Sequence, residues 1–284
     1  MTKPRFLIID GYPKESRDQF DAVGMRLAGV LYADMLLRYE PDAEYRIWYS
    51  SDPDAAAPAD EELADCAGVL WPGCNLTIYH DDPRVHAHRD LCRRAYEAGV
   101  PQFGSCWGIQ LACTVPGGVT EAHPKGRAMG LATKIRLTDE GKRHPMMEGK
   151  PEVYSHFVSH DDYVTGLPEG AVCLASNDWA PIQAVAVEWQ GGVFWAVQYH
   201  PEYNLHELAR LILAREEKLI RQGWFTDAQN MREYVEKLEA VYSAPEEHKA
   251  IRWQLKIDDD VIDEGIRQCE FANWLKYIVR PQSG

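Results

Sequence analysis

The chain predicts a three-layer α/β/α fold with a central mixed, largely parallel sheet, helices on both faces, and a helical carboxyl-terminal extension. Three observations carry that expectation. Short, apolar, β-branched runs alternate with segments of helical spacing through the first half of the 284 residues. Each run stops at a Gly or Pro, as at Gly11-Tyr12-Pro13 and Pro72-Gly73. After Pro116-Gly117-Gly118 the texture changes to closely spaced strand-like runs divided by turns, which fits an antiparallel continuation of the sheet.

In order, Phe6-Leu7-Ile8-Ile9-Asp10 reads as a buried first strand, because a run with no polar face belongs inside a parallel sheet. Residues 19 to 37 follow as one helix, and Tyr45 to Trp48 as a second strand. Residues 51 to 60, rich in Asp, Pro and Ala, form a loop before the strand Ala67-Gly68-Val69-Leu70-Trp71. Pro83 opens a helix carrying Val85, His88, Leu91, Cys92 and Ala95, which Gly99 closes before the strand starting at Val100.

Further along, the runs 132–137, 152–158, 171–175, 183–188 and 193–199 are strand-like, with Gly191-Gly192 as a hairpin turn between the last two. From His206 to about Tyr242 the spacing is helical with a break near Gly223, and a final helix spans about Val261 to Ile278. Residues 1–205 are taken as the catalytic domain and 206–284 as a helical extension packed on it. Phe271, Trp274, Leu275 and Ile278 need burial there.

Composition narrows the function classes. The 44 acidic residues outnumber the 30 basic ones, giving a formal charge of −14, which disfavours nucleic acid and anionic membranes as partners. No apolar run approaches the roughly 20 residues that span a bilayer, so a soluble protein is expected. Seven scattered cysteines, an odd number, and the absence of a basic-then-apolar leader point to a reducing cytoplasm. At most one of them is expected to do chemistry.

That one is Cys106, in Gly104-Ser105-Cys106-Trp107-Gly108-Ile109-Gln110. A nucleophile raised on a sharp strand-to-helix turn needs small neighbours, and Gly104 and Gly108 stand two residues to either side. The helix that follows points its amino end at the sulfur, which favours the thiolate. The Trp107 NH can face the oxyanion of an attacked amide, and the strand end Trp71-Pro72-Gly73-Cys74 offers a second donor through Gly73. A buried structural cysteine between packing glycines remains the alternative for the Cys106 string alone, and a plain turn the alternative for Trp71 to Cys74.

A second signal lies at His200-Pro201-Glu202, after the apolar run Val193 to Tyr199. It delivers a histidine to the carboxyl end of a strand, where open α/β sheets place their chemistry, with Glu202 in reach to hold the imidazole tautomer. Tyr203 is read as surface packing, with presentation of its hydroxyl to a substrate as the alternative. His80, His86 and His88 with Asp81 and Asp82 are read as a solvated polar turn, and neither a metal nor a cofactor is expected.

The Cys106 and His200 segments together resemble the class I glutamine amidotransferases. Trp71-Pro72-Gly73 and Ser159-His160-Asp161-Asp162, with Leu167-Pro168, extend the likeness from Phe6 to about Glu202. The resemblance implies a flavodoxin-like domain in which Cys106 attacks a γ-glutamyl amide, His200 shuttles the proton and Glu202 orients it. Gly73 and Trp107 then stabilise the oxyanion.

It also implies that Gln110 shapes the substrate pocket and that Val158 and Ser159 face the amino acid moiety. His160 is a weaker candidate of the same kind. Structural roles for Gln110, Ser159 and His160 stay open. Trp107, where relatives carry a smaller aliphatic residue, and Cys74, where they often carry glycine, depart from the pattern. No Walker-type or pyrophosphatase loop is visible. Three readings follow: a free-standing hydrolase of a γ-glutamyl amine, a glutaminase subunit serving a separate synthetase, or a non-catalytic binding module. A homodimer built by the extension is also compatible.

Overall fold

The computed structural model describes residues 3–280, so the last four residues of the predicted extension lie outside the description. Eleven strands are present among the described residues: β1 Arg5–Asp10, β2 Glu44–Tyr49, β3 Gly68–Trp71, β4 Gln102–Ser105, β5 Val119–Ala122, β6 Ala128–Leu137, β7 Val153–His160, β8 Asp162–Gly166, β9 Ala171–Ser176, β10 Ala184–Trp189 and β11 Gly192–Val197. Nine form one sheet in the order β2-β1-β3-β4-β11-β10-β9-β6-β7, and β5 pairs β8 in a small separate ribbon that the sequence did not announce.

The sheet is mixed. From β2 to β11 the five strands run parallel; from β11 to β7 every pairing is antiparallel. Strand β1 shows why both faces need cover. Phe6 and Ile8 enter one apolar cluster while Leu7 and Ile9 enter another, as the two-residue side-chain period requires.

Twelve α-helices surround the sheet among the described residues. In chain order they are α1 Lys14–Ala22, α2 Ala28–Tyr39, α3 Asp60–Ala64, α4 Pro83–Glu97, α5 Trp107–Thr114, α6 Leu205–Ala214, α7 Glu216–Arg221, α8 Ala228–Ser243, α9 Lys249–Leu255, α10 Asp259–Ile262, α11 Glu264–Arg267 and α12 Cys269–Trp274. Helices α3, α4 and α5 contribute to the cluster on the Leu7 face, whereas α2 and α12 cover the Phe6 face. A third cluster joins α6 and α8 to β6, β7 and the first helices. None of the described helices is long and apolar enough to cross a membrane.

Four local expectations need correction. The single helix over 19–37 is two, because Gly24 takes a left-handed φ of +75° and the Met25 NH turns back to the Phe20 carbonyl, closing α1. The hairpin turn is Gln190-Gly191, both at positive φ, and Gly192 is already paired with Trp189 in the ladder.

The final helix over 261–278 is broken. Asp263 is extended, and its side chain accepts from the Ile266 NH, capping a new start. The stretch between Tyr242 and Asp260 holds the unanticipated helix α9.

Phe271 and Trp274 of α12 are fully buried. The Trp274 ring packs 6.2 Å from Phe6 and 5.9 Å from Phe103, over a space kept open by Gly68, where a Cβ would come within 2.5 Å of the indole. The far end of the chain therefore lies on the strands that carry the site.

Candidate active site

Strand β4 ends at Ser105, and Cys106 turns the chain into α5 with φ 52° and ψ −87°, a conformation costly for any residue but glycine. Crowding explains the glycines. A Cβ on Gly104 would meet the Gly108 Cα at 2.8 Å and the Trp71 carbonyl oxygen at 2.9 Å, and one on Gly108 would meet that same oxygen at 2.9 Å. The Cys106 NH donates to the Val197 carbonyl at 2.8 Å, which ties the elbow to the end of β11.

His200 follows three residues after the end of β11, held by its NH to the Phe157 carbonyl at 2.9 Å. Its Nδ1 donates to Glu202 Oε1 at 2.7 Å, and the Ser105 hydroxyl donates to the same oxygen at 3.1 Å. With Nδ1 engaged, Nε2 is buried and free of any hydrogen-bond partner among the described residues. Burial pulls the imidazolium down. The Glu202 carboxylate and the Cys106 side chain outweigh burial and push His200 up to about 9.

Gly73 closes the same space. A Cβ there would lie 2.6 Å from His200 Cε1 and 3.5 Å from Cys106 Cβ, so only a glycine lets the strand end approach the pair. Cys106 itself is 5% exposed.

The other predicted residues divide. Gln110 is buried on α5, with Oε1 unpartnered among the described residues. Val158 sits in the apolar core of the sheet, opposite Gly130. The Ser159 carbonyl oxygen lies 4.0 Å from Cys106 Sγ, and its hydroxyl accepts from Arg127 Nη2 at 2.8 Å. His160 Nδ1 donates to the Asp162 carbonyl at 2.9 Å and leaves a buried, unpartnered Nε2; burial pushes the ring down to about 3, so it is neutral.

Two sequence readings are overturned. Tyr203 is not surface packing: it is buried, and its ring stacks on His200 with centroids 4.2 Å apart and planes 3° from parallel. His88 does not belong to a solvated turn. His80, Asp81 and His86 are exposed, but His88 is fully buried.

His88 Nδ1 accepts from the Trp107 indole at 3.1 Å, and its Nε2 bonds the Ser50 hydroxyl. Burial pushes it down to about 4, leaving a neutral ring that fixes the indole on the packed side of the elbow. Its place on the Val85, Leu91 and Cys92 face of α4 was the available signal. Among the described residues no group of three or more His, Cys, Asp or Glu side chains is arranged to hold a metal.

An open, doubly wound sheet with a cysteine elbow and a histidine at adjacent strand ends is the framework of an α/β enzyme. The chain belongs to the class I glutamine amidotransferase family, whose model matches residues 45–218, and its activity class is amide hydrolysis of the glutamine amidotransferase type.

Among its relatives, a γ-glutamyl-L-1-hydroxyisopropylamide hydrolase from a Pseudomonas species is 30% identical over 99% of this chain and 95% of its own length. The GMP synthase of Streptomyces avermitilis is 33% identical over 61% of this chain, which spans only 31% of that protein. A glutamine amidotransferase structure from Thermotoga maritima superposes with a TM-score of 0.63 at 16% identity, covering 90% of this chain and 96% of that one. A second, from Methylobacillus flagellatus, gives 0.61 at 20% identity over 80% of each chain.

Proposed function

We propose that the protein is a free-standing thiol hydrolase that cleaves the γ-glutamyl amide bond of a small amine. The observation that carries the reading is the Cys106 elbow set against the buried His200–Glu202 pair, with the imidazole Nε2 unpartnered. Extension of the likeness to a γ-glutamyl amide hydrolase over 99% of the chain, helices included, favours a free-standing enzyme. Similarity to GMP synthase stops at 61% of the chain. All seven cysteines are free, which fits the reducing cytoplasm.

In this mechanism His200 Nε2 holds the Cys106 proton and the thiolate adds to the γ-carbonyl carbon. The Gly73 and Trp107 NH groups receive the oxyanion. The tetrahedral adduct collapses to a γ-glutamyl thioester as the C–N bond breaks, and the amine leaves with the proton from His200. Water, deprotonated by His200, then adds to the thioester; the C–S bond breaks, glutamate departs and the thiol is restored. Glu202 keeps the proton on Nδ1 throughout.

The test is steady-state glutamate release from a panel of γ-glutamyl amines and from glutamine, with Cys106→Ala alongside. Turnover of one γ-glutamyl amine well above glutamine, abolished by the substitution, is the expected result. Cys106-dependent turnover of glutamine alone would favour a glutaminase subunit for a separate synthetase. No turnover of the whole panel would point to a partner-dependent subunit or a non-catalytic binder.

A further inference from the structure

Beside the elbow lies a group of cations short of counter-ions. Arg127, on the segment entering β6, is 5% exposed; its Nη1 pairs with Asp161, its Nη2 donates to Ser159, and its Nε is buried with no partner among the described residues. Lys218 of α7 reaches the same Asp161 oxygen at 3.0 Å. Arg215, at the kink between α6 and α7, is close enough to act electrostatically on Arg127, Lys218 and Asp161. Its hydrogen bond is to the Tyr12 hydroxyl, at 3.4 Å, and it makes no ion pair among the described residues.

Three cations thus share one carboxylate. Their mutual repulsion, after burial, holds both Arg127 and Lys218 below their ordinary values. Such a group is completed by an anion.

The location says which anion. Ser159 bridges the cluster to the nucleophile, with its hydroxyl on Arg127 and its carbonyl 4.0 Å from Cys106 Sγ. Tyr12, which receives Arg215, lies within electrostatic reach of Cys106. Arg215, Lys218 and Tyr12 line a cleft of about 660 Å³, whose remaining charges are Glu216, Glu217 and Arg221. In a γ-glutamyl amide only two methylenes and the α-carbon separate the reacting carbonyl from a free carboxylate.

We propose that Arg215, with Lys218 and Arg127 behind it, is the recognition site for the substrate's α-carboxylate, so that the carboxyl-terminal helices select γ-glutamyl compounds over other amides. The inference rests on the γ-glutamyl reading above. A guanidinium offers a planar fork of donors that matches a carboxylate, and the Arg215 fork is the one left open.

Two measurements test it. With Arg215→Met, kcat/KM for a γ-glutamyl amide falls about 10- to 100-fold, carried by KM. Amides of 4-aminobutanoate, which lack the α-carboxylate, are turned over equally poorly by both forms. Arg215→Lys recovers part of the loss.

Independently of turnover, calorimetric titration of the full-length Cys106→Ala protein with glutamate gives binding that Arg215→Met abolishes. Binding of glutamate that depends on Arg215, without turnover of any amide, would separate failure of the catalytic reading from failure of this one. Equal losses on both substrate series, or glutamate binding that is absent or unchanged by Arg215→Met, would overturn it.

Discussion

Adding one methyl group at Gly73 probes the geometry of the site more sharply than removing any reactive side chain. The Cβ of Gly73→Ala would sit 2.6 Å from His200 Cε1, so the ring must retreat about 0.8 Å to reach ordinary contact at 3.4 Å. It has nowhere to go. Tyr203 stacks on the ring at 4.2 Å, Glu202 holds Nδ1 at 2.7 Å, and His200 is 1% exposed.

Either the histidine–glutamate bond lengthens or the β3 end shifts, and each moves the proposed proton acceptor, His200, relative to Cys106. A misplacement of this size costs about 10²-fold in rate, and overpacking a closed site costs about 1–3 kcal/mol in stability. The measurements are kcat/KM on the best γ-glutamyl amide, urea unfolding, and the rate of Cys106 alkylation by iodoacetamide. A Gly73→Ala protein with kcat/KM within about threefold of wild type would refute the placement of Gly73 against the imidazole.

Glu202→Gln removes the carboxylate that raises His200. Because a raised histidine stabilises the fold fully below its ordinary value of 6.5 and loses that contribution as pH climbs through about 9, the unfolding free-energy gap between wild type and Glu202→Gln should narrow across that window. A gap that stays constant from pH 6.5 to 9 would contradict it. Trp107→Phe deletes the donor to His88 and strands a buried Nδ1, for a loss of about 1–3 kcal/mol in urea unfolding. Its kcat should change little, since the proposed oxyanion donor is the backbone NH. Trp274→Ala empties the space over Gly68 and should destabilise by about 3–5 kcal/mol, read as a lowered Tm in calorimetry.

The features legible in the sequence were those whose cause is local. Gly104 and Gly108 announce a crowded elbow because a Cβ on Gly104 would meet the Gly108 Cα at 2.8 Å within the same turn. His200 and Glu202, two residues apart, pair within their own turn. Gly24 could have been read as a helix stop, but helical spacing continues on both sides and masked it.

His88 and Tyr203 were not legible in their packed positions: His88 depends on an element 19 residues further along the chain, and Tyr203 on the way a short turn folds back on itself. His88 meets Trp107 only once α4 packs beside α5; Tyr203 stacks only because Pro201 and Glu202 turn the chain back over the ring. Asp161 meets Arg127 and Lys218 across 34 and 57 residues respectively.

The carboxyl-terminal helices are tied to the chemistry by more than packing. Glu270 of α12, fully buried, pairs with Lys150 at 2.9 Å and accepts from the Tyr199 hydroxyl. Tyr199 also shares a 2.9 Å hydrogen bond with Tyr154 and stacks on His156, and it immediately precedes His200.

Removing one partner of a buried ion pair costs about 3–5 kcal/mol, because the other charge is left without compensation. Loss of α12 would thus strand Lys150 and release Tyr199, the residue next to His200. The segment after Ala214 carries Arg215 and Lys218, which line the cleft, and Glu270, which bonds Tyr199, so the extension is proposed to act as both a wall of the site and its support. That arrangement gives a physical reason for similarity to the γ-glutamyl-L-1-hydroxyisopropylamide hydrolase to continue through these helices, while similarity to GMP synthase covers only 61% of the chain.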